Sequence, residues 1–245
     1  MDRYAVMSDI HGNVWALETV LEDIGRRGIK HIINLGDTVY GPLEPQATVE
    51  RLMELPVISI QGNEGRLLFE KRKSPASAAA EFVLRRLARD SVDWLAAQPA
   101  TAVAGKELFL CHGTPASDET YLLERASSRG GTLNDSGFIQ AQLASVAQPV
   151  VLCGHSHIPR VVHLSGGRLI LNPGSVGLQA YTDDTPEPHI MECGSPHARY
   201  AVLTRAGDQW SIEEVCLAYD WKKAAKAASR NGRSDWVDWL ERGRV

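Results

Sequence analysis

The sequence predicts an α/β fold with parallel strands, and two features carry that prediction. A short apolar run, Tyr4–Met7, is followed by an amphipathic stretch from Val14 to Ile24 and then by a second apolar run, His31–Leu35. Strand, helix and strand at that spacing form a crossover unit, which makes the strands parallel. The end of each run then repeats one event. Asp9-Ile10-His11 follows the first, Gly36-Asp37 the second, and Gly62-Asn63 a third run at Val57–Ile60. Open α/β sheets bind ligands beyond the carboxyl ends of their strands. Polar residues collecting there point to one shared site.

The elements follow in order. Asn13 is placed to cap a helix whose apolar stripe is Val14, Leu17, Val20, Leu21 and Ile24, ending at Gly25 and Gly28. Residues 38–45 form a loop punctuated by Gly and Pro, and 48–55 read as a helix before the third strand. Residues 66–98 are charged, Ala-rich and helical in period. Phe82, Leu84, Leu87, Val92 and Leu95 suggest one or two helices inserted beside the site. A fourth strand, Leu108–Cys111, ends at His112-Gly113, and residues 114–134 read as loop with some helix. After a helix at 138–146, a fifth strand, Pro149–Cys153, ends at Gly154-His155-Ser156-His157. Arg168–Leu171 is a strand leading into the small-residue turn Asn172–Gly177. Residues 181–197 show no period and read as a long ordered loop, a kind that is often functional. A hairpin follows, 200–204 with 210–217, turning at Ala206-Gly207-Asp208. The tail from about residue 222 is helical, with Trp236, Trp239 and Leu240 on its packing face. The whole chain, 1–245, reads as a single domain.

Composition narrows the partners. Net charge is −4, from 26 basic and 30 acidic residues, which argues against an extended nucleic-acid surface but not against a small phosphate ester in a cleft. No apolar run reaches the ~18–20 residues of a membrane span, and a strand follows the N-terminus directly, without a leader pattern. The four cysteines are scattered, and Cys111 and Cys153 end apolar runs as buried thiols would in a reducing compartment. These features predict a soluble, cytoplasmic protein; its oligomeric state is not legible.

Asp9, His11, Asp37, Asn63, His112, His155 and His157 are two carboxylates, four imidazoles and one amide. That mixture suits a borderline divalent transition metal, manganese first, then iron, nickel, cobalt or zinc. Seven donors exceed one tetrahedral site and fit two adjacent ions with a shared carboxylate. Such pairs, ~3.5–4 Å apart, are a recurring solution for phosphoryl hydrolysis, with hydroxide formed near neutral pH for in-line attack. Two divalent ions less two carboxylates and a hydroxide leave about one positive charge for a phosphate oxygen.

In that order, Asp9-x-His11, Gly36-Asp37, Gly62-Asn63, His112-Gly113 and Gly154-His155-Ser156-His157 resemble the five blocks of the calcineurin-like metallophosphoesterases. Asn172–Gly177 resembles their compact prokaryotic branch, which includes small phosphodiesterases. The resemblance implies a four-layer αββα sandwich of two mixed sheets flanked by helices, with the metals at the sheet edges. It implies that one metal takes Asp9, His11 and His157, that the other takes Asn63, His112 and His155, and that Asp37 bridges. Asp37, Asn63 and His112 would serve catalysis directly. One position departs from the family: many members carry His after the Asn ligand, and here it is Glu64. Glu64 is expected either to act as an acid of raised pKa near the phosphate or to weaken monoesterase activity. Arg66 and Tyr40 are candidates to meet substrate, and His189 a further one. His163 and His197 stand outside the pattern. The expected activity is hydrolysis of phosphodiesters, with phosphomonoesters second; the alternatives are a protein phosphatase or a metal-free binding scaffold of the same fold, as in the retromer scaffold subunit.

Overall fold

The computed structural model describes residues 2–69, 78–185 and 187–245. The first half runs β1 (Asp2–Met7), α1 (Val14–Arg26), β2 (His31–Asn34), α2 (Pro45–Met53), β3 (Val57–Ser59), α3 (Asn63–Phe69), α4 (Ala78–Leu84), α5 (Arg89–Ala96), β4 (Thr101–Ala104) and β5 (Leu108–Cys111). The chain continues through β6 (Glu124–Arg125), β7 (Thr132–Leu133), α6 (Ser136–Gln142), β8 (Val150–Leu152), β9 (Arg160–His163), β10 (Leu169–Asn172), β11 (Ala180–Asp183) and β12 (His189–Glu192). It closes with β13 (Ala198–Ala206), β14 (Gln209–Leu217), α7 (Trp221–Arg230) and α8 (Asp235–Arg242).

Two five-stranded mixed sheets form the interior, in the orders β14-β13-β1-β2-β3 and β4-β5-β8-β10-β9. β1, β2 and β3 run parallel, as do β5, β8 and β10. Side chains alternate faces along each strand, and this sorts the core into layers. Val6, Leu203, Leu110 and Leu152 meet between the sheets. Ala5, Met7, Tyr200 and Val202 face α1, α7 and α8. Val151, Cys153 and Ile170 face the α6 side with Ile139 and Leu143. The result is the four-layer αββα sandwich.

Several elements differ from their sequence reading. Helix α2 begins three residues early because Pro45, at its first turn, needs no amide partner there. The 66–98 segment holds three helices among the described residues; positions 70–77 lie outside them. Residues 114–134 contain the short pair β6–β7 and no helix. The stretch read as a loop from 181 forms the hairpin β11–β12, and β4 and β9, both edge strands, went unread. Edge strands are short and half-exposed, so they carry little apolar alternation. Among the described residues, no helix is long and apolar enough to cross a membrane.

A buried polar clamp fixes α1 on its sheet. The Tyr200 hydroxyl donates to Asp23 Oδ2 at 2.6 Å, and Arg27 Nε donates to the same oxygen at 2.6 Å while reaching Glu213 on β14 at 2.8 Å. Burial would raise the Asp23 carboxyl, but the Tyr200 hydroxyl and the Arg27 guanidinium hold it below its usual 3.8. A lowered carboxyl stabilises the fold above pH 3.8 and loses that contribution as pH falls through its folded value. Tyr200→Phe removes one hydrogen bond to a charged acceptor. Urea denaturation at pH 7 is expected to show a loss of about 1–3 kcal/mol, and the difference from wild type shrinks below pH 3.8.

Candidate metal centre

All seven donors sit where parallel strands end. Asp9 and His11 follow β1, Asp37 follows β2, Asn63 opens α3 after β3, His112 follows β5, and His155 and His157 follow β8. Two sheets thus deliver their strand ends to one cleft. The local backbone is unusual. Among the described residues, the non-glycine positions with positive φ are Asp9 (56°), His11 (52°), Asp37 (46°), His155 (69°) and His157 (59°). Each left-handed L-residue costs about 1–2 kcal/mol, and such strain concentrates at functional sites. Here it falls on five of the seven donors.

Glycines allow the loops to close in. A Cβ on Gly62 would lie 2.1 Å from Asp37 Oδ1, and one on Gly154 would lie 2.0 Å from Ser8 Oγ and 2.9 Å from Asp9 Oδ2. The Asn172–Gly177 turn stitches the two ligand loops together. Ser175 Oγ and the Gly177 amide donate to Asp9 O at 2.7 and 3.0 Å, and Asn172 Nδ2 donates to Gly154 O at 2.8 Å.

The imidazoles are aimed by their outer nitrogens. Nδ1 of His11, His112 and His157 lies 2.8, 2.8 and 2.7 Å from the carbonyl oxygens of Tyr40, Leu35 and Leu178. A carbonyl accepts only from N–H, so Nδ1 carries the hydrogen and Nε2 faces inward, as in metal-ligating histidines. His155 is reversed: its Nε2 donates to Glu119 O at 3.1 Å, and its ring stacks on Tyr121 at 4.4 Å.

The inward atoms crowd one another. His11 Nε2 and His157 Nε2 are 3.1 Å apart, His157 Nε2 and Asp9 Oδ1 3.4 Å, His112 Nε2 and Asp37 Oδ2 3.2 Å, and His112 Nε2 and Asn63 Oδ1 3.1 Å. Two ligands about 2.1 Å from one ion, at right angles, stand about 3 Å apart. Asp9 Oδ1 is buried without a hydrogen-bond partner, which a cation would remedy. Ligand atoms fall into the triples Asp9-His11-His157 and Asp37-His112-His155, each within 4.8 Å. Asp37 also forms a triple with His11 and Glu64, so it stands between the two groups. The residues present therefore fit divalent metal.

Burial opposes charging of the imidazoles, yet Glu64, Asp37 and Asp9 raise His11 to about 9, and Asp37 and Asp9 raise His112 to about 10. Burial, reinforced by the charge on His112, pushes His155 down to about 4. Asp9 and Asp37, despite burial, are held low by His157 and His112 respectively.

A cavity of about 290 Å³ opens above the cluster. His11, Asp37, Asn63, Glu64, His155 and His157 line its floor, with Asp9 and His112 buried beneath. Tyr40 lines the wall. Arg66 is not among the lining residues; its guanidinium pairs with Asp118 at 2.7 Å and with Glu119 at 2.7 Å. Asp118 and Glu119 thus hold the guanidinium of Arg66, the residue read as a candidate to meet substrate. His189 is buried on β12 and bonds the Tyr121 hydroxyl at 2.9 Å, behind the cavity. Glu64 Oε2 lies 3.2 Å from His11 Nδ1, whose hydrogen points to Tyr40 O, so that oxygen has no hydrogen-bond partner. Residues that sequence reasoning missed complete the wall: Tyr121, Tyr181, Arg233, Trp236 and Trp239. No local pattern marks them, because their approach to the site comes only through the fold.

A two-sheet sandwich with such a cluster at its strand ends is the architecture of metallophosphoesterases. The chain belongs to the calcineurin-like phosphoesterase superfamily, whose domain model matches residues 3–194. The family is metal-dependent. An uncharacterised protein of Methanocaldococcus jannaschii is 28% identical over 251 residues, covering 95% of this chain and 94% of the relative. The crystal structure of a metallophosphoesterase from Sphaerobacter thermophilus is 25% identical with a TM-score of 0.76, covering 98% of this chain and 99% of that one.

Metal binds neutral imidazole, and the carboxylates around His11 and His112 favour their protonated forms. Loading is therefore expected to release about two protons per chain from the imidazoles at pH 7, besides the proton of metal-bound water, and the imidazole share falls as pH rises past 9 to 10. Calorimetry in buffers of different ionisation enthalpy measures this, and a pH-independent proton count would contradict it.

Proposed function

We propose that this protein is a dinuclear metal-dependent phosphodiesterase acting on a small phosphate ester, in the reducing setting where Cys111 and Cys153 stay buried thiols. The observation that carries this reading is the pair of donor triples with Asp37 between them. Asp9, His11 and His157 would hold one ion, Asn63, His112 and His155 the other, and Asp37 both, with manganese first among the candidate metals. When bound, two such ions lower the pKa of water and neutralise charge developing on the phosphoryl group.

The chain's own residues set the rest. The amides of Glu64 and Gly65, at the start of α3, donate to Asp37 Oδ1 at 3.1 and 3.4 Å, so the shared carboxylate is fixed before substrate arrives. The carbonyl partners of His11, His112 and His157 remove rotamer freedom from those ligands. Tyr40 stands in the wall beside His11 and holds its Nδ1–H through its carbonyl oxygen. A binding scaffold has no use for five strained backbones aiming seven donors at one cleft, and this favours the enzyme over the scaffold.

Glu64 sets the preference for diesters. Burial raises its carboxyl to about 6, so it is largely charged at pH 7, and two bound cations would lower it further. A carboxylate in the floor repels the dianion of a monoester more than the monoanion of a diester. Of the two roles the sequence left open, this favours repulsion over proton donation. With Mn-loaded protein, an aryl phosphodiester is expected to be hydrolysed faster than the matching monoester. Glu64→His should shift the monoester-to-diester ratio of kcat/KM upward by about tenfold, the effect of ~1.4 kcal/mol. An unchanged ratio sinks the role given to Glu64, and absence of hydrolysis with every candidate metal sinks the enzyme reading.

A further inference from the structure

His155 is aimed from the surface of the molecule. The carbonyls that hold His112 and His157 belong to Leu35 and Leu178, both buried in the core. His155 instead donates from Nε2 to Glu119 O at 3.1 Å, and Glu119 sits on an exposed loop, its side chain 60% accessible. A carbonyl on a loop fixes an imidazole only as firmly as the loop is itself held. What holds residues 113–120 therefore bears on the metal site.

The loop starts directly after His112 and winds tightly. The Thr114 amide donates to Ser117 O at 2.8 Å, and the Glu119 amide to Ser117 Oγ at 3.2 Å. Gly113 makes the winding possible, since a Cβ there would lie 2.5 Å from Thr120 O and 2.7 Å from Ser117 O. Just past the loop, Tyr121 stacks on His155 and shares its hydroxyl with Tyr181 at 2.8 Å and His189 at 2.9 Å, so that end is tied to the β11–β12 hairpin.

Arg66 supplies a tie at the middle of the loop. Its Nε and Nη2 donate to Asp118 Oδ2 and Oδ1 at 2.7 and 3.1 Å, and Nη2 also donates to Glu119 Oε1 at 2.7 Å. The Asp118 contact is a two-point fork, which fixes direction as well as distance. It is partly shielded, with Arg66 30% and Asp118 19% exposed, whereas the solvated Glu119 carboxylate adds little. Arg66 lies three residues beyond Asn63 on α3, and the amides of Glu64 and Gly65 between them hold Asp37. One side chain thus joins the helix that opens with Asn63, the loop that leaves His112 and the carbonyl that aims His155.

We propose that Arg66 is a positioning residue for one metal ion: through Asp118 it braces the 113–120 loop and so sets the His155 imidazole against Asn63 and His112. This rests on the dinuclear reading of the donor cluster. The ion assigned to Asp9, His11 and His157 draws nothing from this loop. The brace therefore governs how tightly one of the two ions is kept, and it acts from outside the cavity lining.

The test is titration of the metal-free full chain with manganese, followed by calorimetry and by electron paramagnetic resonance. No substrate is present, so a contact that Arg66 made only with substrate would leave the titration unmoved. Wild type is expected to take up two ions in separate steps and to give the spectrum of an exchange-coupled pair. Arg66→Gln and, separately, Asp118→Asn should weaken one step by about 10- to 100-fold, the usual cost of losing an outer partner of a metal ligand, and leave the other within about twofold. The weakened step should be the one that Asn63→Ala weakens most. At manganese concentrations that just fill the wild type, the variants should show the spectrum of an isolated ion. The double variant should lose no more than the worse single one, because the two residues act as a unit. An unchanged titration in the single variants, equal weakening of both steps, or additive losses in the double variant overturns the brace and leaves the two-ion reading standing. Fewer than two ions in wild type overturns that reading and the brace with it. Arg66→Lys keeps the charge but not the fork, and it should weaken the same step by less, which carries the test if Arg66→Gln does not fold.

Discussion

Two buried carboxylates, four buried imidazoles and an amide are pressed within hydrogen-bond distance of one another, and the rest of the structure depends on holding that arrangement. Left to themselves, inward-facing lone pairs on His11 and His157, 3.1 Å apart, repel. So does the unpartnered Asp9 Oδ1 against its carboxylate neighbours. Only positive charge resolves this, as protons or as metal. The fold supplies stability elsewhere to keep the cluster in place: the apolar layer between the sheets, the Asp23–Tyr200–Arg27 clamp, and outer helices on both faces. Buried Leu and Val side chains contribute roughly 1.5–3 kcal/mol each, which offsets about 1–2 kcal/mol for each left-handed ligand residue.

Strain and chemistry coincide for a geometric reason. A strand leaving the sheet continues away from its neighbours unless the chain turns sharply. Left-handed backbone at Asp9, His11 and Asp37 turns it within two residues and folds the side chains back over the strand ends. Gly62 and Gly154 then let neighbouring loops pass closer than any Cβ allows. The Asn172–Gly177 turn ties the loops of both sheets by hydrogen bonds to Asp9 O and Gly154 O. The site is thus a product of two packed sheets delivering their strand ends to one cleft, and neither sheet alone holds all seven donors.

Much of this was legible in the sequence. Asp9, Asp37, Asn63, His112, His155 and His157 each follow an apolar run of period appropriate to a buried strand, so their common edge followed from parallel topology. The Asn13 cap, the 200–217 hairpin and the packing role of Trp236 and Trp239 were readable from local chemistry. What was not readable depends on long-range contact. Trp236 has a helical, core-like pattern, and nothing local says that the face it buries is the loop after Asp37. Arg66 has the chemistry of a phosphate ligand, and only the fold brings Asp118 and Glu119 to it. The 181–197 stretch hides its hairpin because β11 and β12 pair with each other and take their burial from Tyr121 and His155, far away in sequence. Glu64 lies between these cases: its position was evident, its orientation beside His11 was not.

The central claim is that seven donors form one site for two ions shared through Asp37. Anomalous diffraction from crystals of the manganese-loaded protein measures this most directly. Two manganese peaks per chain, about 3.5–4 Å apart, with the Asp37 carboxylate reaching both, is the result the structure predicts. A single peak, or two peaks with Asp37 bound to only one of them, would contradict it.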